Sequence, residues 1–176
     1  MRRFIALACA LLAVAPAVSR AAEPPCLSPA EFTALADYAL PGIISGASQR
    51  CRTTLAPGAF LRRGGPELIR RYALRKPAAW PGAKAAFLKL SATGDGDVGN
   101  LIRTMPDASL QQVVDGMIEG MVSQQMPLDR CGTVDRLIDL LSPLPPQSIA
   151  EAVALAVGLG ARAGRTRIGK ISICAA

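Results

Sequence analysis

Cysteine placement constrains the fold of this chain more than any other feature, because each disulfide ties two separate segments together. Of the five cysteines, Cys9 lies in an apolar N-terminal stretch, which leaves Cys26, Cys51, Cys131 and Cys174. An even number of cysteines in an exported chain indicates disulfides, and four cysteines allow three pairings. We favour the two local bridges, Cys26–Cys51 and Cys131–Cys174. Each would stabilise the fold by roughly 3–4 kcal/mol.

The N-terminal stretch has the three parts of a secretory signal. Arg2 and Arg3 supply positive charge, residues 4–18 are apolar, and a small-x-small cleavage site ends at Ala21, with a second one at Ala17. The apolar part is shorter than the roughly 20 residues that span a bilayer, so a retained anchor is disfavoured. We therefore expect residues 1–21 to be a cleaved secretory signal peptide, with no transmembrane segment after it.

Composition extends this prediction to a compartment and a source. Arginine outnumbers lysine 16 to 4 and alanine is abundant, as in proteins from GC-rich bacterial genomes. Together with the signal, this usage predicts a protein of the Gram-negative periplasm. Residues 22–92 hold ten basic and four acidic side chains, whereas residues 93–176 hold seven and nine. An anionic partner is therefore expected to meet the N-terminal half of the mature chain.

The first half of the mature chain contains several helix signals. Ser28 to Glu31 is a capping box with proline at the first helical position, which predicts a helix over 29–40. Pro41-Gly42 is expected to interrupt it, with a second helix over 43–53 that carries Cys51. Pro66 opens a further helix that should stop before Pro77, and Pro81 opens the next.

The second half is also helical in pattern. Residues 107–126 form an amphipathic helix, residues 133–141 a shorter one, and Ser148 begins another through a capping box. The predicted inward stripe of the long helix is Leu110, Val113, Val114, Met117 and Met121. The run 152–161 is apolar all round, which predicts a buried central helix. Residues 165–176 alternate in polarity and indicate an extended tail held by Cys174.

These elements predict an all-α fold. We expect residues 22–176 to form a compact single helical domain of about six to seven short helices, with an irregular or extended C-terminal tail and two disulfides. A Gly- and Asp-rich stretch near 94–100 is the expected loop and the seam between the halves. It does not fit a calcium loop, because Asn100 stands where glycine is required and Pro106 where the last carboxylate belongs.

The absence of certain residues and motifs excludes most familiar kinds of catalytic and metal site. With no histidine in the sequence, Ser-His-Asp and Cys-His catalysis and histidine metal sites are absent. The cysteines are too far apart for a zinc or iron–sulfur site, and no Cys-x-x-Cys redox pair occurs. We expect no cofactor, no metal and no catalytic residue. The methionines that could suggest copper are better explained as core residues, namely Met105, Met117, Met121 and Met126.

Two carboxylate pairs leave an enzymatic alternative open. Asp115 and Glu119 are four residues apart on one predicted helix, and Asp135 and Asp139 are four apart on the next. Each pair shares a helix face, opposite the apolar stripe, and is interpreted as solvated. An enzyme that used them would need at least one of them in a shared cleft with a raised pKa.

The densest charge feature is a basic cluster in the first half. Its members that could hold an anionic partner are Arg62, Arg63, Arg70, Arg71 and Arg75, with Lys76 beside them. Nucleic acid is an unexpected partner, because the chain has few aromatic residues for stacking, and Trp80 and Tyr72 are interpreted as core residues. We therefore predict a non-enzymatic binding module for a protein or an anionic envelope component. The alternatives are a carboxylate-dependent enzyme or a carrier of a small apolar ligand.

Overall fold

The structure is a computed structural model that describes residues 26–92, 96–162, 167–168 and 171–174. The predicted signal peptide lies outside these ranges. Within them the fold is all-α, as predicted, and the strands are very short. The helices are α1 (Pro29–Cys51), α2 (Phe60–Arg63), α3 (Gly65–Ala73), α4 (Lys76–Ser91), α5 (Gly96–Thr104), α6 (Asp107–Gln125), α7 (Cys131–Leu141) and α8 (Pro146–Arg162). The strands are β1 (Cys26–Leu27), β2 (Arg167–Ile168) and β3 (Ile171–Ile173).

Helix α1 is the central element, and α3, α4, α6, α7 and α8 all pack against it. Its predicted capping box is confirmed, because the Glu31 N–H donates to Ser28 Oγ at 3.2 Å and the Ser28 N–H donates to Glu31 Oε2 at 2.7 Å. Lys89 of α4 donates to the same carboxylate at 2.9 Å. The start of α1 is therefore fixed both by its own cap and by the neighbouring helix.

The predicted break at Pro41-Gly42 is wrong, because α1 continues through both residues to Cys51. Proline removes one helical hydrogen bond at a typical cost of about 3 kcal/mol. Close packing against α6 offsets this cost. A Cβ on Gly42 would lie 3.2 Å from Ile118 Cγ2, and one on Gly46 only 2.7 Å from the Glu119 carbonyl oxygen. Tertiary packing therefore overrides the local signal.

The continuous helix also makes the predicted disulfide pairing wrong. The four cysteines do form two disulfides, but these join Cys26 to Cys174 and Cys51 to Cys131. A helix of 23 residues is about 35 Å long and separates Cys26 from Cys51. A disulfide needs its Cα atoms within about 7 Å of each other. Each end of α1 is instead bridged to a distant part of the chain.

The expected C-terminal tail contains two of the three strands. β3 pairs parallel with β1, with Cys26 opposite Ser172, and antiparallel with β2. The Cys174 N–H also donates to the Leu27 carbonyl oxygen at 2.9 Å. Leu27 is fully buried beneath this pairing. The tail is thus attached beside the start of α1 by hydrogen bonds as well as by Cys26–Cys174.

Two main groups of buried side chains flank α1. One joins Tyr38 of α1 to α4 and α6, and contains Trp80, Phe87, Leu110 and Val114. The other joins the end of α1 to α2, α3 and the start of α8, and contains Ile44, Leu61, Leu68, Tyr72 and Ile149. Trp80 and Tyr72 are core residues, as predicted.

Several helix boundaries differ from those predicted. α4 begins at Lys76 and includes Pro81, so proline does not start that helix. α5 begins at Gly96, so much of the expected loop near 94–100 is helical, while residues 93–95 lie outside the described ranges. α8 begins at Pro146, and the Ser148 N–H donates to the Pro145 carbonyl oxygen. Ser148 is therefore inside the helix and does not cap it.

The burial of apolar side chains differs most from the predicted burial on α6 and α8. Leu110 and Val114 are buried as predicted, but Met117 and Met121 are 46% and 47% exposed, and Val113 is exposed with them. The inward face of α6 continues through Ile118 and Val122, which contact α1 and the core. Met105 and Met126 are half-buried against the core. α6 is thus covered along one narrow face.

The predicted buried central helix at 152–161 is wrong over its described side chains. Leu155 is 70% exposed and Val153 is also exposed, while the side chains from 157 onward lie outside the description. Among the described side chains of α8, the buried ones lie in its first turns, where Ile149 and Ala150 pack on the core. Among the described residues, no helix is both long enough and apolar enough to cross a membrane.

Candidate functional site

The exposed guanidinium groups of α2 and α3 form one candidate site, which we call the arginine surface: Arg62, Arg63, Arg70 and Arg71. Two of them also hold the fold, because Arg62 Nη1 donates to the Leu55 carbonyl oxygen at 3.0 Å and Arg71 donates to that of Ser142. Arg71 lies over the Tyr72 ring, 5.4 Å from its centroid. The other two are less engaged. Arg70 pairs with Glu67, and both side chains are largely exposed.

A carboxylate on another helix positions this surface. Asp135 of α7 accepts the Leu61 N–H at 2.7 Å and the Phe60 N–H at 3.3 Å. It therefore caps the first turn of α2, which no residue adjacent in sequence does. The helical pattern of α7 predicts Asp135 to be a solvated residue. Its capping role depends on a contact between segments about 75 residues apart, which local pattern cannot reveal.

Two of the other predicted carboxylates have partners on neighbouring helices. Asp115 pairs with Lys76, whose Nζ also lies 4.5 Å from the centre of the Tyr38 ring. Glu119 accepts a hydrogen bond from Gln49 of α1. Asp139 lines a shallow cleft with Phe60, Arg63 and Gly64, of about 410 Å³. Within the described part of the chain, no three potential ligand residues are grouped to hold a metal ion.

Arg75 does not belong to the arginine surface. It lies in a separate cleft of about 520 Å³ between α1, α4 and the first turns of α8, which we call the Asp37 cleft. The walls are small side chains contributed by α1 and α4, and the polar groups are those of Thr33, Asp37, Arg75, Gln147 and Glu151. The lining residues are Ala30, Thr33, Ala34, Asp37, Arg75, Ala78, Ala79, Gly82, Gln147 and Glu151.

Asp37 is the buried charged residue of this cleft. Its side chain is only 9% exposed, its Oδ2 lies 3.8 Å from Arg75 Nη2, and its Oδ1 is buried without a hydrogen-bond partner. Burial raises the pKa of the Asp37 carboxyl, and the Arg75 guanidinium opposes this rise. The Gln147 amide oxygen accepts from the guanidinium of Arg75. Most of the donor capacity of Arg75 is thus directed at Gln147.

This cleft is not among the predicted sites, although the sequence contains a signal for it. Ala30 and Ala34 on α1, and Ala78 and Gly82 on α4, repeat at intervals of four and so share a face on each helix. Small residues on two facing helices allow close approach where they touch. A Cβ on Gly82 would lie 2.6 Å from that of Ala34. Asp37 is also an isolated acid in an otherwise apolar stretch of α1.

No protein-family model matches this chain, and no curated protein or solved structure is significantly similar to it. Its function must therefore be inferred from the arginine surface and the Asp37 cleft themselves.

Proposed function

We propose that this protein is a non-enzymatic binding module that attaches to an anionic surface of the cell envelope through its arginine surface. One observation carries the proposal: residues 50–76 contain eight basic side chains and a single acidic one, Glu67. Five of these guanidinium groups remain exposed in the fold, namely that of Arg52 and the four of the arginine surface. Phosphate groups are natural partners for such groups, because the planar fork of arginine can donate two hydrogen bonds to one phosphate.

Exposed leucines beside the arginines favour a lipid surface over an acidic protein. Leu74 at the end of α3 is 81% exposed, and Leu137 and Leu140 of α7 are 54% and 61% exposed. The Tyr72 hydroxyl donates to the Leu144 carbonyl oxygen at 3.0 Å, which holds α3 against the segment that follows α7. Basic groups beside exposed apolar side chains are typical of proteins that bind at a membrane interface.

The compartment proposed is the periplasm of a Gram-negative bacterium, reached through the cleavable signal over 1–21. The signal pattern supports export, and two disulfides support an oxidising environment. An anionic lipid headgroup is available at the membranes bounding that compartment. The module would stay folded there because both ends of α1 are covalently bridged.

Cosedimentation with vesicles tests the proposal. The wild type is expected to bind vesicles that contain phosphatidylglycerol and not vesicles of phosphatidylcholine alone. The test variant is Arg63→Gln with Arg70→Gln, because neither side chain holds the backbone of another segment. Each arginine near an anionic surface contributes about 1 kcal/mol, so the double variant should bind roughly 30-fold more weakly.

A matched control removes the same charge elsewhere. Lys84→Gln with Arg103→Gln changes a half-buried basic residue of α4 and an exposed one of α5, and Lys84 pairs with Asp107 at the opposite end of α6 from the arginine surface. Its binding should fall by less than about threefold. If the wild type does not bind the anionic vesicles, or if both double variants lose binding equally, the proposal is wrong. Retention by an acidic protein alone would also contradict it.

A further inference from the structure

The Asp37 cleft has the shape of a small-ligand site. Its volume of about 520 Å³ is within the usual range for small-molecule pockets. Ala30 and Ala34 on one wall, and Ala78 and Gly82 on the other, are each one helical turn apart. One turn is about 5.4 Å, so an apolar stem of roughly four carbons would lie along the groove, over the contact between Ala34 and Gly82. The cleft thus combines a short apolar trough with a charged end.

The charged end of the cleft is rich in acceptors. Asp37 Oδ1 has no partner, and Glu151 makes no ion pair with any described residue. Arg75 is the cation of the cleft, and its guanidinium donates to Gln147. Two carboxylates line the cleft with one guanidinium, so negative charge is in excess there.

We propose that the Asp37 cleft binds a small organic cation, with a primary ammonium held by Asp37 and Glu151 and a short apolar stem between α1 and α4. A primary ammonium has three donors and no acceptor, which complements this end of the cleft. An anion would meet two carboxylates, and a neutral apolar molecule would leave the buried Asp37 oxygen unsatisfied. The site is independent of the arginine surface.

The probe for this proposal is n-butylammonium, added to the full mature chain while the amide signals of Ala30, Ala34 and Gly82 are followed by NMR. A ligand of this size at ordinary efficiency binds with a dissociation constant on the order of 1 mM. Shifts of these amides should saturate. The neutral analogue n-butanol and the anion butyrate should produce no saturating shifts. Absence of saturation by n-butylammonium up to about 50 mM would overturn the proposal.

Asp37→Asn separates ligand binding from a structural role. Loss of a buried charge-assisted hydrogen bond should weaken n-butylammonium binding about 10- to 100-fold. The melting temperature at neutral pH should not fall, because the variant also removes a buried, poorly paired charge. Unchanged binding, or a lower melting temperature with no binding by the wild type, would show that Asp37 and Arg75 form only a structural pair.

Two further variants define the position of the site. Ala78→Leu should fill the trough and weaken binding while leaving Asp37 intact. Glu67→Gln removes a carboxylate on α3 that does not line the cleft, and should change binding by less than about twofold. Equal loss in Glu67→Gln and Asp37→Asn would mean that the cation responds to overall charge, which contradicts a defined site. These results are independent of vesicle binding, so either proposal can fail alone.

Discussion

The close contact of α1 with α6 predicts opposite effects of the same substitution at two glycines. Gly46 lies in α1, where an added Cβ would be 2.7 Å from the Glu119 carbonyl oxygen and 2.9 Å from Val122 Cβ. Gly116 lies on α6 with nothing within 4 Å of such a Cβ. Both residues are inside helices, so alanine improves the helix propensity of each by about 0.5–1 kcal/mol.

At Gly46 the steric cost should exceed this gain. Overpacking typically costs 1–3 kcal/mol, and the upper part of the range applies, because the nearest atom belongs to the backbone of α6 and has no rotamer to change. Gly46→Ala should therefore destabilise the fold by about 2 kcal/mol. Gly116→Ala should stabilise it by up to about 1 kcal/mol. The two variants should differ by roughly 3 kcal/mol.

Urea denaturation followed by circular dichroism measures both variants against the wild type, with all disulfides intact. A shift of the midpoint at constant m-value reports the change in free energy of unfolding. If Gly46→Ala is as stable as Gly116→Ala, then α1 and α6 do not approach closely at this position. The explanation for the continuity of α1 through Pro41 would then be refuted.

Three further predictions follow from other contacts. Chemical denaturation should show the same loss of stability for Cys26→Ser, for Cys174→Ser and for the double variant. The loss should be about 5 kcal/mol, because the disulfide closes a loop with a sequence separation of 148. Additive losses in the double variant would contradict this pairing. In the same assay Asp135→Ala should lower the free energy of unfolding by about 1–2 kcal/mol, because it removes the cap of α2. The control Asp129→Ala changes an exposed residue and should lower it by less than about 0.5 kcal/mol. Equal losses in the two variants would show that Asp135 does not cap α2. The Ser28 N–H and Lys89 lower the pKa of Glu31 below 4.5, so its stabilisation is present above that pH and lost as pH falls through the folded-state value. Glu31→Gln should therefore flatten stability against pH in this acidic range, and an unchanged profile would contradict the cap.

Sequence patterns predicted where the helices lie in the chain better than they predicted how the helices pack together. The capping box at Ser28 and the start of α6 near Asp107 depend on neighbouring residues, and both are where they were expected. Pro41 and Pro81 gave misleading signals, because proline lowers local helix stability but packing against neighbouring helices determines whether a helix continues. The strength of a local sequence signal therefore does not show whether tertiary packing will override it.

The burial errors have a similar physical cause. Met117, Met121 and Leu155 are apolar, but sequence cannot show how many neighbours cover each face of a helix. The arginine surface was predictable because charge density is local, whereas the cap that Asp135 provides is not. The Asp37 cleft joins residues from three helices. Only its alanine spacing and its isolated acid were visible in the sequence.

The pairing of the cysteines tests most directly whether α1 is one continuous helix. Tryptic digestion without reduction should leave the peptide ending at Arg50, which contains Cys26, linked to residues 171–176. The dipeptide 51–52 should be linked to residues 131–136. Mass spectrometry identifies both products. Detection of the Cys26 peptide linked to dipeptide 51–52 would instead require α1 to bend back on itself, and would contradict the fold described above.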